Sequence, residues 1–319
     1  MKAVFLDFGT MGADDLDPSP LAESVDDFRV FDSTPANQVA ARIDGMDFVF
    51  VNKVRLTEQL ITAAESLRFI GLTATGVDNV DLDAARKHGV AVCNVRAYCT
   101  QSVVEHVFAV LLNLTHSIRG YDRSARSGAW QRADNFCLLE YPIRELSAMT
   151  IGIVGHGELG SGVADLARHF DMSVMVARRP GSPDKAGDRR ADLEDMLKEC
   201  DVLSLHCPLT DATRGLIGRP ELELMKSDAI LINTARGALV DTAALAEALA
   251  DGTIGAAAID VLPQEPPLDG DPLLDYAGDN LILTPHIAWG TREARQNAIN
   301  ELAANVRAFL AGKERNRIV

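Results

Sequence analysis

Gly155, Gly157 and Gly160 stand in the order G-x-G-x-x-G within Gly155-His156-Gly157-Glu158-Leu159-Gly160, directly after the apolar run Met149 to Val154 and before a stretch with helical patterning. A glycine-rich turn between a strand and a helix suits the pyrophosphate of a dinucleotide. The first glycine permits the tight turn, the second lets the backbone approach the phosphates, and the third lets helix and strand pack closely. Amides of the helix's first turn then face the anion. The same residues also fit a plain strand-to-helix turn, so the next strand carries weight. Sites for the unphosphorylated nicotinamide cofactor end that strand, about 20 residues on, in an acid that meets the ribose hydroxyls. Here Met172 to Ala177 runs into Arg178-Arg179-Pro180-Gly181; Asp171 lies at the wrong end and Asp184 beyond a Pro-Gly turn. Two guanidiniums suit a phosphate dianion, which predicts a preference for NADP(H), with NAD(H) still admissible.

Three further side chains have the types that carbonyl reduction needs once a nicotinamide supplies the hydride. His286, in Thr284-Pro285-His286-Ile287-Ala288-Trp289, can give a proton near neutral pH. Glu265, in Asp260-Val261-Leu262-Pro263-Gln264-Glu265-Pro266, can hydrogen-bond the imidazole and favour its charged form. Arg236, in Asn233-Thr234-Ala235-Arg236-Gly237, can bind a carboxylate and polarise the adjacent keto oxygen. Singly, each is equally well a packed loop histidine, an exposed acid between prolines and an arginine closing a strand.

The elements that must position these groups alternate. From Thr150 onward, 150–154, 172–177, 202–206, 229–233, 256–261 and 281–284 read as strands separated by helical patterns, which implies parallel βαβ units with ligands at the carboxyl ends of the strands. Arg236, Asp260 and His286 fall at or just after such ends, and Cys207 ends another, where its backbone matters more than its sulfur. A second α/β unit precedes, with strands near 2–7, 48–51, 68–72 and 90–93. Between them, Gln101 to Ile118 is too apolar all round for an ordinary surface helix and reads as buried on several sides, with a dimer interface one way to cover it. His106 and His116 on it read as structural or interfacial. Arg292 to Ala311 is patterned as an amphipathic helix that packs back on the first unit.

Bulk properties narrow the function. A chain of 319 residues is long enough for two domains that each bury a core, and 47% hydrophobic with 24% charged residues is ordinary for a globular protein. A formal charge of −15 argues against nucleic acid or an anionic membrane as partner. No apolar run reaches spanning length and Met1 to Asp7 reads as a first strand, so the cytoplasm is the expected compartment. Five scattered cysteines without C-x-x-C spacing predict reduced thiols and no metal site.

Taken in order, these motifs resemble the D-isomer-specific 2-hydroxyacid dehydrogenase family over almost the whole chain. The resemblance includes Asn52-Lys53-Val54, Thr73-Ala74-Thr75-Gly76-Val77-Asp78-Asn79-Val80-Asp81, Ser102-Val103-Val104-Glu105-His106, the Gly155 turn, His206-Cys207-Pro208-Leu209-Thr210 and the three segments above. Phe136 to Pro142 and Ala288 to Gln296 are similar to the glycerate dehydrogenase (hydroxypyruvate reductase) branch. The resemblance implies two doubly wound parallel-sheet α/β domains, a Rossmann nucleotide-binding domain (100–286) inserted into a flavodoxin-like substrate domain (1–99 plus 287–319). It implies reduction of small 2-keto acids to D-2-hydroxy acids, with His286 as acid/base, Glu265 its partner and Arg236 the substrate anchor. The amides of Thr75, Gly76 and Val77 would hold the carboxylate. Gly155 to Gly160, Arg178, Arg179, Cys207 and Pro208 would surround the dinucleotide, Asp260 and Thr234 would meet its nicotinamide end, and the protein would be a homodimer. Two residues depart from the family pattern: Arg178 replaces a frequent acid, and Glu158 replaces a frequent base facing the pyrophosphate. Formate dehydrogenation on this fold pairs the histidine with glutamine rather than Glu265 and is disfavoured. A dinucleotide-sensing regulator that keeps the triad is the non-enzymatic alternative, which turnover separates.

Overall fold

Phe48-Val49-Phe50-Val51 and Phe69-Ile70-Gly71-Leu72 are buried at every residue, as strands covered on both faces must be. The computed structural model describes residues 1–179 and 190–319. It divides into two units: Met1–Cys99 with Trp289–Val319, and Thr100–Ala288.

In the first unit, β1 (Lys2–Phe5), β2 (Asp27–Val30), β3 (Phe48–Val51), β4 (Phe69–Leu72) and β5 (Ala91–Cys93) form a wholly parallel sheet in the order β2-β1-β3-β4-β5. Side chains alternate between two cores. Phe5, Phe48, Phe50 and Phe69 meet Ala298, Leu302 and Val306 of the helix Arg292–Leu310, while Val4, Val49, Val51 and Ile70 meet Val39, Ile43 and Ile61 on the opposite face. Fully burying each such side chain contributes roughly 1.5–3 kcal/mol before conformational entropy is counted. The terminal helix therefore docks as its apolar spacing predicts. Edge strand β2 has no counterpart in the strands read from the sequence. Its residues Asp27-Phe28-Arg29-Val30 are half-buried or exposed, and charges along an edge hide the apolar signal while discouraging further pairing. The opposite edge is covered where Ile318 donates its amide to the Val92 carbonyl at 2.8 Å.

In the second unit, β6 (Thr150–Val154), β7 (Ser173–Val176), β8 (Val202–Leu205), β9 (Ile230–Asn233), β10 (Ala256–Ile259) and β11 (Leu281–Leu283) form a parallel sheet in the order β11-β10-β9-β8-β6-β7. A single parallel bridge, Ala177 to Ala191, extends it beyond β7. Counting Ala191 as a one-residue third strand restores the outward-then-back winding of a dinucleotide-binding sheet, whose direction reverses between β6 and β8. The helix Thr100–Thr115 buries Val103, Val104, Val107, Phe108, Val110 and Leu111 within this unit. It packs on the helix Glu158–His169, and Phe108 stacks on Phe170 with ring centroids 5.2 Å apart. No helix among the described residues is long and apolar enough to cross a membrane.

Candidate active site

The glycine turn sits at the reversal between β6 and β8. Gly155 has φ +96°, and a Cβ there would lie 2.6 Å from the Cys207 amide nitrogen. Only a glycine lets the end of β8 come this close. A Cβ on Gly160 would lie 2.0 Å from the Gly155 carbonyl oxygen, so the third glycine sets the approach of helix to strand. Gly157 caps the helix Glu158–His169 without a side-chain hydrogen bond, and the space beside its α-carbon is open. Backbone donors at a helix start beside open space are what a phosphate requires. Leu159 is half-buried in the first turn, while the Glu158 carboxylate accepts a hydrogen bond from the Thr100 hydroxyl. Across the reversal lie Cys207 and Pro208. Burial pushes the Cys207 thiol up, which keeps it protonated and unreactive at neutral pH.

Past β7, the two arginines part company. Arg178 is 14% exposed and donates to Asp192 at 3.0 Å and to the Arg190 carbonyl at 3.3 Å. Arg179 is exposed. Pro180, Gly181 and Asp184 lie outside the described residues.

The strand ends β9, β10 and β11 carry the remaining candidates. Buried Asn233 shapes the first loop: its Oδ1 accepts the Ala235 amide at 3.0 Å and its Nδ2 donates to the Arg236 carbonyl at 2.9 Å. Arg236 donates to the Ala235 carbonyl at 2.8 Å. Thr234 is half-buried, with a hydroxyl that finds no partner among the described residues. At Gly237 a Cβ would fall 2.0 Å from the Leu262 carbonyl carbon. That missing side chain admits the Val261–Pro263 backbone beside Arg236. The loop then turns Glu265 back on itself, with Oε1 accepting the Leu262 amide at 2.9 Å and Oε2 lying 2.5 Å from His286 Nδ1. Glu265 thus fixes the Nδ1 side of the ring. Arg236, Glu265 and His286 line one cleft of about 160 Å³ together with Leu209, Gly237 and Leu262.

Asp260 is brought to this site as a brace. Its Oδ1 accepts from the Thr284 hydroxyl at 2.5 Å and the Ile287 amide at 2.9 Å, and its Oδ2 accepts the Ala288 amide at 2.9 Å. His106 Nε2 lies 3.3 Å from the Thr284 hydroxyl, so the buried helix Thr100–Thr115 reaches the same loop. Sequence reasoning missed Asn233 and Thr284 as supports of the site. Their only signal was a polar residue at a strand end.

In the other unit, Thr75, Gly76 and Val77 form the turn after β4. None of their amides has an acceptor among the described residues, while Thr75 is tied down by its hydroxyl on the Val95 carbonyl at 3.0 Å and by Asn94 Nδ2 on its carbonyl at 2.7 Å. Successive amides without acceptors form an anion seat.

A glycine turn suited to a dinucleotide and a histidine–carboxylate pair beside an arginine fit an oxidoreductase that binds NAD(P). Comparison with known proteins agrees. Residues 108–288 match the model of the D-isomer specific 2-hydroxyacid dehydrogenase, NAD binding domain. A glycerate dehydrogenase of Methylorubrum extorquens is 42% identical over 91% of each chain, and a hydroxypyruvate reductase of Blautia hydrogenotrophica is 32% identical over 99% of each. An acyclic imino acid reductase solved in complex with NADPH and D-Arg superposes over the full length of both chains with a TM-score of 0.85 at 29% identity. The chain belongs to the D-isomer-specific 2-hydroxyacid dehydrogenase family and is a D-2-hydroxyacid dehydrogenase.

Proposed function

We propose that this enzyme reduces hydroxypyruvate and glyoxylate to D-glycerate and glycolate with a preference for NADPH. The observation that carries the reading is the convergence of Arg236, Glu265 and His286 on one cleft, in a chain similar to a glycerate dehydrogenase and a hydroxypyruvate reductase. The dinucleotide would be held by the amides of the Gly155–Gly160 turn and by the backbone at Cys207 and Pro208, with Thr234 and Asp260 toward its nicotinamide end. When bound, it supplies a hydride to the keto carbon. His286 Nε2 gives its proton to the keto oxygen as charge develops there. Glu265 fixes the ring and stabilises the imidazolium. Arg236 binds the carboxylate and polarises the neighbouring keto oxygen, and we assign the amides of Thr75, Gly76 and Val77, which have no acceptor among the described residues, a part in substrate binding.

NADPH preference rests on the absence of an acid at the end of β7 and on the arginines that replace it. Because Arg178 is engaged by Asp192, exposed Arg179 is the readier donor, with Arg178 released to share the 2′-phosphate. We also assign a homodimer. Phe136 is 90% and Leu139 78% exposed on the segment after the helix Ile118–Arg126, apolar surface that a second copy would cover.

Steady-state assays of a 2-keto acid panel with NADPH and NADH test the reading. Hydroxypyruvate and glyoxylate should lead the panel, with kcat/KM about tenfold higher for NADPH. A folded protein that binds dinucleotide and turns over no 2-keto acid would be a regulator instead.

A further inference from the structure

The five-stranded sheet changes direction between β1 and β3, and the crevice outside the carboxyl ends of two such strands is where an open α/β sheet normally takes its ligand. Here a side chain of the protein itself fills it. Asp7 follows β1 and is 2% exposed. Its Oδ1 accepts the Asn52 amide at 2.9 Å, and its Oδ2 accepts the Lys53 and Val54 amides at 2.6 and 2.8 Å. Three consecutive amides aimed at one carboxylate form the kind of cradle otherwise used for a bound anion. Thr10 secures the other side: its hydroxyl donates to the Asp7 carbonyl at 2.6 Å and accepts from Asn52 Nδ2 at 2.9 Å.

The strap that Asp7 holds is laced to the turn after β4. Asn79 Nδ2 donates to the Val54 carbonyl at 2.9 Å, the Leu56 amide donates to the Asn79 carbonyl at 2.8 Å, and the Asp81 amide returns to the Leu56 carbonyl at 3.0 Å. Within that turn the Val80 amide donates to the Val77 carbonyl at 3.0 Å. Any shift of residues 52–54 is thus passed to the segment whose first three amides have no acceptor among the described residues.

We propose that Asp7 is a positioning residue for substrate binding: an internal carboxylate that occupies the β1/β3 crevice, fixes the strap at 52–54 and, through Asn79, sets the Thr75, Gly76 and Val77 amides for a substrate carboxylate. The last step rests on the function proposed above. Because the crevice at the sheet's reversal is already filled, the substrate's anion is received one strand further along, after β4.

Asp7→Asn tests this, since the near-isosteric amide turns an N–H₂ toward backbone donors. The KM for hydroxypyruvate should rise about tenfold or more, while kcat changes less than about threefold and the NADPH dissociation constant, read by fluorescence on the free enzyme, stays within about twofold. Hydrogen exchange should quicken at the hydrogen-bonded amides of Asn52, Lys53, Val54, Leu56, Val80 and Asp81, with the helix Arg292–Leu310 unchanged. An unchanged KM, or exchange raised evenly through the unit, overturns the proposal. Should Asp7→Asn not fold, Asn79→Ala removes the side-chain bond from the turn to the Val54 carbonyl, leaves the backbone bonds at Leu56, and should raise KM in the same direction by a smaller factor; an unchanged KM there overturns the proposal. Exchange needs no substrate, so wild-type protein that reduces no 2-keto acid would refute the proposed function while the exchange pattern still judges the role of Asp7.

Discussion

Asp260 holds His286 from both directions: its carbonyl accepts the His286 amide at 2.7 Å while its carboxylate accepts the amides of Ile287 and Ala288. His286 sits at φ +56°, a left-handed backbone that costs a non-glycine residue about 1–2 kcal/mol. The surrounding hydrogen bonds impose that conformation and aim the ring at Glu265. Asp260→Ala should therefore destabilise the protein by about 1–3 kcal/mol through amides left without acceptors, and lower kcat as the ring loses its aim. Urea midpoints and steady-state kinetics check both; unchanged kcat in a destabilised variant would leave Asp260 a purely structural brace.

His286→Ala removes the proposed proton donor and leaves the glycine turn intact. Turnover should fall by about 10²–10⁴-fold, with the NADPH dissociation constant unchanged. Retained turnover would reassign the acid.

Arg178→Ala and Arg179→Ala should each raise KM for NADPH far more than for NADH, by about tenfold against less than about twofold. The Asp192 partner of Arg178 adds a second expectation. Asp192→Ala removes that ion pair while the bond to the Arg190 carbonyl remains, and should improve NADPH binding or leave it unchanged. Equal effects of both arginine variants on the two cofactors would remove the specificity argument.

Acid stability should depend on Asp201, at the opposite end of the sheet from the site. Burial pushes its carboxyl up, but the Thr150 amide at 2.8 Å, Lys226 at 3.1 Å and Arg144 at 3.2 Å outweigh this and leave it below the usual 3.8. A folded-state pKa below the unfolded one means the stabilisation is present above about pH 4 and is lost as pH falls through the folded value. Asp201→Asn should be less stable than wild type at pH 7, and the gap should narrow toward pH 3.5. A gap independent of pH in urea titrations would show that charge is not what Asp201 contributes.

Local patterning carried much of this protein. Short apolar runs marked the strands that enclose the site because a buried parallel strand needs little beyond continuous apolar side chains, and the glycine turn announced itself through backbone demands that only glycine meets. Arg236, Asp260 and His286 could be found because each stands at the end of such a run. Edge strand β2 escaped because half of it faces solvent and its charges erase the pattern. What tertiary structure alone decided is which groups meet. Asp192 claims Arg178 from 14 residues away, and Asp7 claims three amides at a separation of 45–47 residues. Such pairings depend on where strands land beside one another in the sheet, a relation set by long-range packing that no stretch of neighbouring residues encodes.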